Sequence, residues 1–391
     1  MPLQDAVRYF TREDGSLACM SIACGTAARC YTAEGGETAP GGPPVAPDSV
    51  FDLASLSKLF TALTAMRLWE QGRLDLSAQV RSLEPRFACI GDITVGETLG
   101  FERAIRTPVR VDAQPDARAA EEVLSRAESC PNGDGKAYSD MHAMVIRYVL
   151  EAATGQSAMD CVTEALLKPL GMHETWCRVP EAARGRCVSC DREHRIEGSH
   201  WFVREGIAPG TPHDPKARAL APAGEHFCGH AGLFSTRDDM VRLCQGILQG
   251  RVLRPETLRR MAENRTGRPL PGGGWTQFLG CLCYVRHPVQ RHSEVPVYMG
   301  EEALALSGFT GNHLAIDPRK GLFEFYLGSR VQNRLSVLLP EEGKTRGDYG
   351  LDPDGHGTVD WPGEGPVRSS VDFVYRKDAH YHPRVAEALG L

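Results

Sequence analysis

The sequence predicts an α+β fold in which both ends of the chain form one antiparallel sheet flanked by helices. Residues 8–31 contain two apolar-rich runs separated by Gly25, which is typical of a pair of strands. Short apolar and β-branched runs return between residues 281 and 327, broken by Gly, Pro and Asp. Between these regions, residues 75–225 mix helical periods with turn clusters. Strands at both ends and helices in the middle favour a sheet with a helical insertion.

This pattern predicts a single domain that spans residues 1–391. Its α/β part comprises about residues 1–74 and 226–391, and its mainly helical part comprises about residues 75–225. A chain of this length can bury a large core in one enzyme-sized domain.

The remaining elements follow in order along the chain. A Gly- and Pro-rich surface loop is expected at 34–49, and a helix that begins near Ser55 should end near Gly72. Helices are predicted at 141–152 and 159–170, and a glycine-rich turn followed by a helix is predicted within 229–250. The late strands are predicted at 281–285, 303–306, 313–316 and 322–327. Residues 340–366 are predicted to be a long polar loop, and 371–391 a closing strand or helix.

The composition excludes several classes of function. Hydrophobic residues make up 42% and charged residues 24% of the chain, as in ordinary globular proteins, and the net charge is −6. Because the basic residues are scattered, we expect neither nucleic-acid binding nor membrane binding. Met1–Arg8 lacks the basic and apolar segments of a signal peptide, and the thirteen cysteines are best interpreted as reduced thiols, so a cytoplasmic location is expected.

One group of cysteines has to be weighed as a metal site. Cys177, Cys187, Cys190 and His194 include a Cys-x-x-Cys pair, but their spacing matches no standard zinc motif. The sequence therefore predicts neither a metal nor another cofactor.

Ser55 and Lys58 form the strongest candidate catalytic pair. Helical spacing of the apolar residues that follow places these side chains on one face of a helix, about 5–6 Å apart. A serine needs an adjacent base to become a nucleophile, and a lysine can be that base if its pKa is lowered. The positive potential of a helix N-terminus would act in that direction.

The Ser55 and Lys58 spacing alone is weak evidence for a catalytic site. With seven lysines and twenty serines in the chain, chance supplies about 0.4 Ser-x-x-Lys matches. A solvated lysine one turn after a helix-start serine is the alternative.

Two further segments strengthen the pair. Tyr138-Ser139-Asp140 precedes a predicted helix, where a phenol beside an ammonium can act as a general base, although a simple helix cap is the alternative. Residues 306–311, Leu-Ser-Gly-Phe-Thr-Gly, predict an edge strand that could bind an extended acyl group and supply an oxyanion-hole N–H. In a third segment, residues 229–236, His230 flanked by glycines is more often structural than catalytic.

Together these segments resemble the serine β-lactamase and penicillin-binding-protein superfamily. The likeness is to its class C β-lactamase-like group, which includes DD-peptidases, D-aminopeptidases and carboxylesterases, and it extends from about Cys19 to Arg334. The segments that carry it are 51–58, 71–76, 138–140, 212–215, 229–236, 306–311 and 316–318.

The resemblance implies a β-lactamase/transpeptidase-like fold and a serine hydrolase that acts on a small acyl substrate. Ser55 would be the nucleophile, and Lys58 would share a proton with Tyr138, which acts as base and then as acid. Backbone N–H groups of Ser55 and Phe309 would form the oxyanion hole. Substrate would also be bound by Asp140, Ser307 and Gly308.

Two departures from the family pattern bear on the substrate. The third motif of the superfamily usually begins with Lys or His, whereas Leu306 stands here, which favours esters, amides or lactones over carboxylate-bearing substrates. Residues 93–101 also differ from relatives along the cleft, which predicts a reshaped acyl pocket. The apolar Leu306 leaves a non-catalytic ligand-binding protein as the alternative function, while the lack of an export signal argues against a cell-wall DD-peptidase.

Overall fold

The computed structural model describes residues 1–221 and 224–391, apart from the side chain of His292. Its strands are β1 (Cys19–Gly25), β2 (Cys30–Gly36), β3 (Phe51–Asp52), β4 (Arg103–Arg106), β5 (Glu128–Pro131), β6 (Thr175–Trp176), β7 (Glu193–Glu197), β8 (His200–Arg204), β9 (Phe234–Ser235), β10 (Tyr284–Val285), β11 (Leu304–Gly308), β12 (Asn312–Asp317), β13 (Leu322–Gly328), β14 (Arg334–Leu339), β15 (Thr358–Trp361) and β16 (Gly365–Arg368).

The α-helices are α1 (Pro2–Arg8), α2 (Ser57–Glu70), α3 (Val80–Leu83), α4 (Val95–Leu99), α5 (Ala117–Ser125), α6 (Asp140–Thr154), α7 (Ala158–Val162), α8 (Lys168–Leu170), α9 (Glu181–Arg184), α10 (Pro215–Ala219), α11 (Arg237–Leu248), α12 (Pro255–Met261) and α13 (His382–Leu389). Shorter 3₁₀ or π segments adjoin several of these helices, including Ala54–Leu56 before α2 and Lys377–Tyr381 before α13.

A six-stranded antiparallel sheet dominates the fold. Its strand order is β10-β11-β12-β13-β1-β2, so the N-terminal pair joins the late strands through β1 and β13. The predicted α+β class, with a sheet built from both ends of the chain, is thereby confirmed. The other described sheets are small: β14-β7-β8, β3-β9-β6, β15-β16 and β4-β5.

Alternate residues of the sheet face two different cores, because successive side chains of a strand point to opposite sides. Leu306 on β11 and Phe325 on β13 belong to the large core that also contains the apolar side chains of α2 and α6. Ile22 on β1 and Tyr326 on β13 belong to a second core with side chains of α1 and α13. We call the first side the inner face and the second the outer face of the sheet.

Helix α2 runs through the large core. Eleven of its fourteen residues are buried, which explains why its sequence is apolar around most of its circumference. It is preceded by the 3₁₀ turn Ala54–Leu56 and followed by Gly72 in the left-handed region (φ 69°). The predicted helix from Ser55 to about Gly72 is confirmed. This burial gives the residues of its first turn fixed positions.

Most other predicted helices are confirmed. The helix predicted at 141–152 is α6, and the helix predicted at 159–170 is the continuous run of α7, a π turn and α8. The closing segment 371–391, for which strand and helix were both open, is helical.

Three local predictions need correction. The first apolar run of 8–31 is helical, since a π turn covers Tyr9–Glu13, and the strand pair is Cys19–Gly25 with Cys30–Gly36. The segment 340–366 contains most of the β15-β16 hairpin rather than only a loop. The middle of the chain also contains the short strands β4 to β8, which the sequence did not indicate.

Within the described residues, no helix combines the length and the apolar character needed to cross a bilayer.

Candidate active site

Ser55 lies in the tight turn between β3 and α2. The preceding residue, Ala54, has a left-handed backbone (φ 46°), a conformation that non-glycine residues adopt at a cost. The Asp52 carboxylate stabilises the turn by accepting hydrogen bonds from the backbone N–H groups of Ala54 (2.9 Å) and His213 (2.7 Å). The turn leaves Ser55 half-buried at the edge of a cavity, where its hydroxyl can meet a ligand.

Lys58 lies beneath Ser55, fully buried in the first turn of α2. Its Nζ donates to Ser55 Oγ at 3.0 Å, to Asp140 Oδ1 at 2.8 Å and to the carbonyl oxygen of His230 at 3.4 Å. An ammonium group has three N–H donors and no acceptor, so these three oxygens match its protonated form. The predicted pair, Ser55 and Lys58, is therefore in contact, and the lysine is the hydrogen-bond donor.

Lys58 could act as a base only if its pKa were lowered, and its surroundings on balance act in the opposite direction. Burial acts to lower the pKa of Lys58, but the Asp140 carboxylate and the Tyr138 hydroxyl act in the opposite direction and outweigh it. The pKa of Lys58 is therefore raised, not lowered. The N-terminal potential of one helix, which acts to lower the pKa of Lys58, is weaker than a carboxylate at hydrogen-bond distance.

Tyr138 reaches the same turn from the loop before α6. The ammonium nitrogen of Lys58 lies 4.9 Å from the centre of its ring. The ring is stacked between Phe101 (centroids 5.5 Å apart) and Tyr284 (5.2 Å), and its backbone N–H donates to the Gln277 side chain at 2.9 Å. Phe101 ends the divergent segment 93–101, so that segment holds the tyrosine in place.

Asp140 joins two lysines. Its Oδ1 accepts from Lys58, and its Oδ2 lies 3.0 Å from Nζ of Lys216, a residue of α10. Burial opposes ionisation of the Asp140 carboxyl, but the charges of Lys58, His230 and Lys216 hold its pKa well below the usual range. The carboxylate is thus charged, and both of its oxygens have a cationic partner.

The buried His230 and the half-buried Asp214 form a pair behind Lys58. His230 Nε2 is 2.9 Å from Asp214 Oδ1, and its Nδ1 is 3.2 Å from the Cys228 sulfur. Burial acts to lower the pKa of His230, but Cys228 and Asp214 outweigh it and raise that pKa to about 10. His230, predicted to be structural, therefore fixes the backbone carbonyl that receives Lys58.

The far end of β11 closes the other side of the cavity. A Cβ atom on Gly308 would lie 2.8 Å from the Leu53 carbonyl oxygen, so only glycine lets the strand pack against the turn that holds Ser55. The next residue, Phe309, is partly exposed, and its carbonyl oxygen accepts from Arg330 Nε at 2.9 Å. Strand β10 pairs only with Leu304 and Ala305, so the β11 edge beyond Ala305 is not covered by β10.

Ser307 occupies this edge but its hydroxyl already has partners. It donates to Glu294 Oε2 at 2.7 Å and lies 3.3 Å from His313 Nδ1 on the outer face of the sheet. Its predicted contact with substrate would therefore involve its backbone rather than its hydroxyl.

A cavity of about 480 Å³ unites the predicted residues. Ser55, Tyr138, Asp140, Ser307, Gly308 and Phe309 all line it, with Lys58 directly underneath. Several cations whose position was not predicted from the sequence also line it: Lys136, Arg195, Arg204, Lys216 and Arg330. Arg195 and Arg204 come from the β7-β8 hairpin, which the sequence did not predict. Lys216 follows the segment 212–215, which was noted only as a family likeness.

The Leu306 position is apolar in the structure for a packing reason. Its side chain is fully buried in the large core with Leu304 and Leu314. A cation at this position would have to be buried there, so any positive charge for a substrate must come from elsewhere in the cavity.

The carboxylates of the cavity are satisfied without a metal. Donor atoms of Asp140, Asp214 and His230 lie within 4.8 Å of one another, which is close enough for metal ligands. However, Lys58 and Lys216 engage both oxygens of Asp140. The negative charge of Asp140 is therefore balanced by the side chains of Lys58 and Lys216.

Comparison with known proteins gives the family context. A sequence profile described as Beta-lactamase matches residues 13–337. The chain is 29% identical over 152 residues to "Penicillin-binding protein 4" of Amycolatopsis lactamdurans, a match that covers 36% of this chain and 40% of that relative. It is 28% identical over 266 residues to "Esterase EstB" of Burkholderia gladioli, covering 60% of this chain and 67% of the esterase. The matches thus span about two fifths to two thirds of these relatives' length.

A solved structure supports the fold. The class C beta lactamase from Rhodobacter sphaeroides superposes with a TM-score of 0.62 at 19% identity, over 84% of this chain and 94% of that one. At this identity the likeness establishes the β-lactamase/transpeptidase fold, and it leaves the activity to be argued from the site.

Proposed function

The chain belongs to the Beta-lactamase family, and on this premise we propose that it is a serine hydrolase of the β-lactamase, esterase and D-peptidase type in which Ser55 is the nucleophile that is acylated. The observation that carries the proposal is the 3.0 Å hydrogen bond from Lys58 to the hydroxyl of a half-buried serine at the edge of a cavity. A charged donor at this distance stabilises negative charge on the serine oxygen as it attacks.

In the proposed first step, Tyr138 reacts as a phenolate beside the Lys58 ammonium, and the proton of the Ser55 hydroxyl passes to the phenolate oxygen. Lys58, held as an ammonium by Asp140, cannot accept that proton and instead stabilises the developing alkoxide. Ser55 Oγ bonds to the carbonyl carbon of the substrate, and the carbonyl oxygen becomes an oxyanion. The base assignment thus moves from the pair of Lys58 and Tyr138 to Tyr138 alone.

Backbone N–H groups of Ser55 and Phe309 stabilise the oxyanion in this proposal. The close packing of Gly308 against Leu53 sets the separation of these two segments. Preorganised donors of this kind contribute about 3–4 kcal/mol of transition-state stabilisation each. The substrate's acyl chain lies along the β11 edge that β10 leaves uncovered.

Collapse of the tetrahedral intermediate breaks the bond to the leaving group, which takes the proton from Tyr138. Water then attacks the acyl-enzyme with Tyr138 again as base, which releases the acid and restores the Ser55 hydroxyl. The cycle consumes one water and needs no cofactor.

The substrate class we propose is a small ester, amide or β-lactam-like compound. Leu306 provides no cation from the third motif, but Arg195 and Arg204 line the cavity and lie 3.1 Å and 3.4 Å from the buried Glu193. We propose that these arginines, rather than residue 306, receive an anionic group when a substrate carries one.

Labelling tests this proposal directly. Intact protein is incubated with a fluorophosphonate, a panel of β-lactams, p-nitrophenyl esters and D-amino-acid amides, and its mass is measured. We expect one adduct per chain, located at Ser55 by peptide mapping and lost in Ser55→Ala. Ser57→Ala is the matched control, because Ser57 is fully buried two residues away and its hydroxyl only accepts from the backbone of Leu233.

The alternative, a non-catalytic binding protein, predicts a different result. Ligands would then stabilise wild type and Ser55→Ala equally, with neither turnover nor adduct. Failure of every acylating probe to label the folded protein would overturn the assignment of Ser55.

A further inference from the structure

Three potential metal ligands lie together on the outer face of the sheet, away from the cavity of Ser55. His313 comes from β12, Glu324 from β13 and His382 from the first residue of α13, and all three are buried. One donor atom of each lies within 4.8 Å of the corresponding atoms of the other two. Two imidazoles and one carboxylate are a common ligand set for zinc.

The distances between these donors suit a shared ion. Oε1 of Glu324 is 2.9 Å from His382 Nδ1 and 3.3 Å from His313 Nε2. Ligands placed about 2.05 Å from a tetrahedral metal lie about 3.3 Å from one another. The separation between Glu324 Oε1 and His313 Nε2 equals this value, and the separation between Glu324 Oε1 and His382 Nδ1 is somewhat shorter.

The hydrogen-bonding of His382 provides a second, independent observation. The His382 side chain is only 4% exposed, and neither of its ring nitrogens makes a hydrogen bond. Its Nδ1 is close to Glu324 Oε1 but not in hydrogen-bond geometry. A buried imidazole nitrogen that makes no hydrogen bond keeps a lone pair available to a metal ion that Glu324 also binds.

Further acidic groups lie behind the two histidines. Glu294 Oε2 is 3.5 Å from His313 Nδ1, and Asp378 Oδ1 is 3.6 Å from His382 Nε2. The Tyr298 hydroxyl donates to the second oxygen of Glu324. Metal-bound histidines usually have such partners at the nitrogen that faces away from the metal, where a carboxylate increases their basicity.

A simple buried ion-pair network explains these contacts less well. Glu324 Oε1 accepts a hydrogen bond from His313 Nε2 at 3.3 Å, but His382, whose Nδ1 is 2.9 Å from the same oxygen, makes no hydrogen bond to it. Lys377 Nζ also lies 3.4 Å from His313 Nδ1, and its charge is balanced by an ion pair with Glu294.

We propose that His313, Glu324 and His382 form a binding site for a transition-metal dication of the zinc class. The site would join β12 and β13 to α13, which ties the C-terminal helix to the sheet. It would also fix His313, whose Nδ1 lies 3.3 Å from the hydroxyl of Ser307 on the strand that borders the active-site cavity.

Metal titration of the full-length protein tests the site. Protein treated with a chelator and desalted is titrated with Zn²⁺ and, separately, with Co²⁺. We expect one equivalent of either ion to bind, the midpoint of thermal unfolding to rise by a few degrees, and Co²⁺ to give the intense visible absorption of a tetrahedral complex.

Variants locate the bound ion. His382→Gln should lose the stabilisation and the Co²⁺ spectrum, whereas His200→Gln, at an exposed histidine of β8, should keep both. Equal binding by His382→Gln and wild type, or no binding by wild type, would overturn the proposal.

X-ray absorption of the Zn²⁺ complex of wild type identifies the ligands of the ion, and this test remains available if His382→Gln does not fold. We expect nitrogen and oxygen ligands that include two imidazoles, because the other candidate group of the described residues, Asp140, Asp214 and His230, contains only one. Sulfur ligation would instead place the ion at the cysteines and would overturn the assignment.

Discussion

In the proposed mechanism, Lys58 provides a fixed positive charge. Its three donors all have oxygen acceptors, and Asp140 opposes the effect of burial on its pKa. A lysine in a Ser-x-x-Lys motif can act as a base only as a neutral amine. Here the neighbouring carboxylate determines the protonation state, and so it determines the role of the lysine.

Replacing Lys58 by methionine separates its catalytic role from its structural role. The change leaves Asp140 with only Lys216 as an ionic partner, so we expect it to lower the free energy of unfolding by about 1–3 kcal/mol. Because the alkoxide then lacks its charged donor, kcat/KM for a p-nitrophenyl ester should fall at least about 1,000-fold. Urea unfolding and steady-state kinetics measure the two effects.

The double variant Lys58→Met with Asp140→Asn is the control for stability. Removing both charges should recover most of the lost free energy of unfolding but none of the turnover. Recovery of activity in the double variant would contradict the role of Lys58 as the donor to Ser55.

The Asp214 and His230 pair makes stability depend on pH in a defined direction. The folded-state pKa of His230 is raised to about 10, so its contribution is fully present below the unfolded value of about 6.5 and is lost as the pH rises through 10. The pKa of Asp214 is lowered despite burial, chiefly by His230, so its contribution is lost as the pH falls below about 4.

We therefore expect His230→Gln to be most destabilising, relative to wild type, between about pH 4 and 6.5. The difference in free energy of unfolding should shrink steadily from pH 6.5 to 10, as measured by urea denaturation in a series of buffers. His200→Gln should show no such trend, because that histidine is exposed. A constant difference across this range would mean that the pair carries no net charge interaction.

At the scale of elements, the contact between β11 and the turn before α2 sets the geometry of the cavity. Thr310 Oγ1 and Asn312 Nδ2 both donate to the Asp52 carbonyl oxygen at 2.9 Å, so the turn after β11 is tied to β3. The two walls of the cavity thus belong to segments more than 250 residues apart in the chain. Such a contact has no local signature in the sequence.

Gly308→Ala tests this contact. Its Cβ would lie 2.8 Å from the Leu53 carbonyl oxygen and 2.9 Å from Asn312 Nδ2, so the strand must move away from the turn. We expect a loss of about 1–3 kcal/mol in stability and a fall of at least about tenfold in kcat. Gly185→Ala is the matched control, since a Cβ there meets nothing within 4 Å and its backbone is helical.

A normal kcat in Gly308→Ala, with Gly185→Ala also normal, would show that the spacing between β11 and the Ser55 turn does not limit the reaction.

The sequence predicted those elements that have a strong local pattern. Helix α6 and the run from α7 to α8 show clear helical periods, and the late strands are bounded by Gly, Pro and Asp. Strand β7 was missed because its partner in parallel pairing is β14, about 140 residues later, and its five residues read Glu-His-Arg-Ile-Glu. Tertiary pairing, not propensity, makes this segment a strand.

The residues of the candidate site also divide into those with a local sequence pattern and those placed by pairing between distant segments. Ser55, Lys58, Tyr138 and Asp140 could be predicted because they occur in short motifs with fixed spacing. The cations Arg195, Arg204 and Arg330 could not, because each reaches the cavity from a strand or loop that is placed by distant pairing. The same applies to His313, Glu324 and His382, whose separation along the chain fits no metal motif.

At the scale of the whole molecule, both termini close the outer face of the sheet. Leu3 and Val7 of α1 pack with Val385 of α13 over Ile22 of β1. The apolar sides of the two terminal helices are thereby packed against the strands whose inner faces support α2. Loss of either terminal helix would expose one side of the sheet that positions the cavity.

The distribution of cysteines also reflects the whole fold. All thirteen are free thiols, and ten are buried, while Cys30 and Cys89 are exposed and Cys130 is partly exposed. Burial raises the pKa of Cys177, Cys187 and Cys281 to about 11, so these thiols are neither accessible nor ionised at neutral pH. A free thiol in such surroundings behaves as a small apolar side chain.

We therefore expect a disulfide reagent to modify at most three cysteines of the native protein rapidly at pH 7.5, and all thirteen in denaturant. Since no cysteine lines the cavity, the modified native protein should still be labelled at Ser55 by a fluorophosphonate. Absorbance of the released thiolate counts the reactive groups, and peptide mapping assigns them. Rapid reaction of five or more cysteines before unfolding would show that the cores open readily, because ten of the thiols can be reached only through the packed interior.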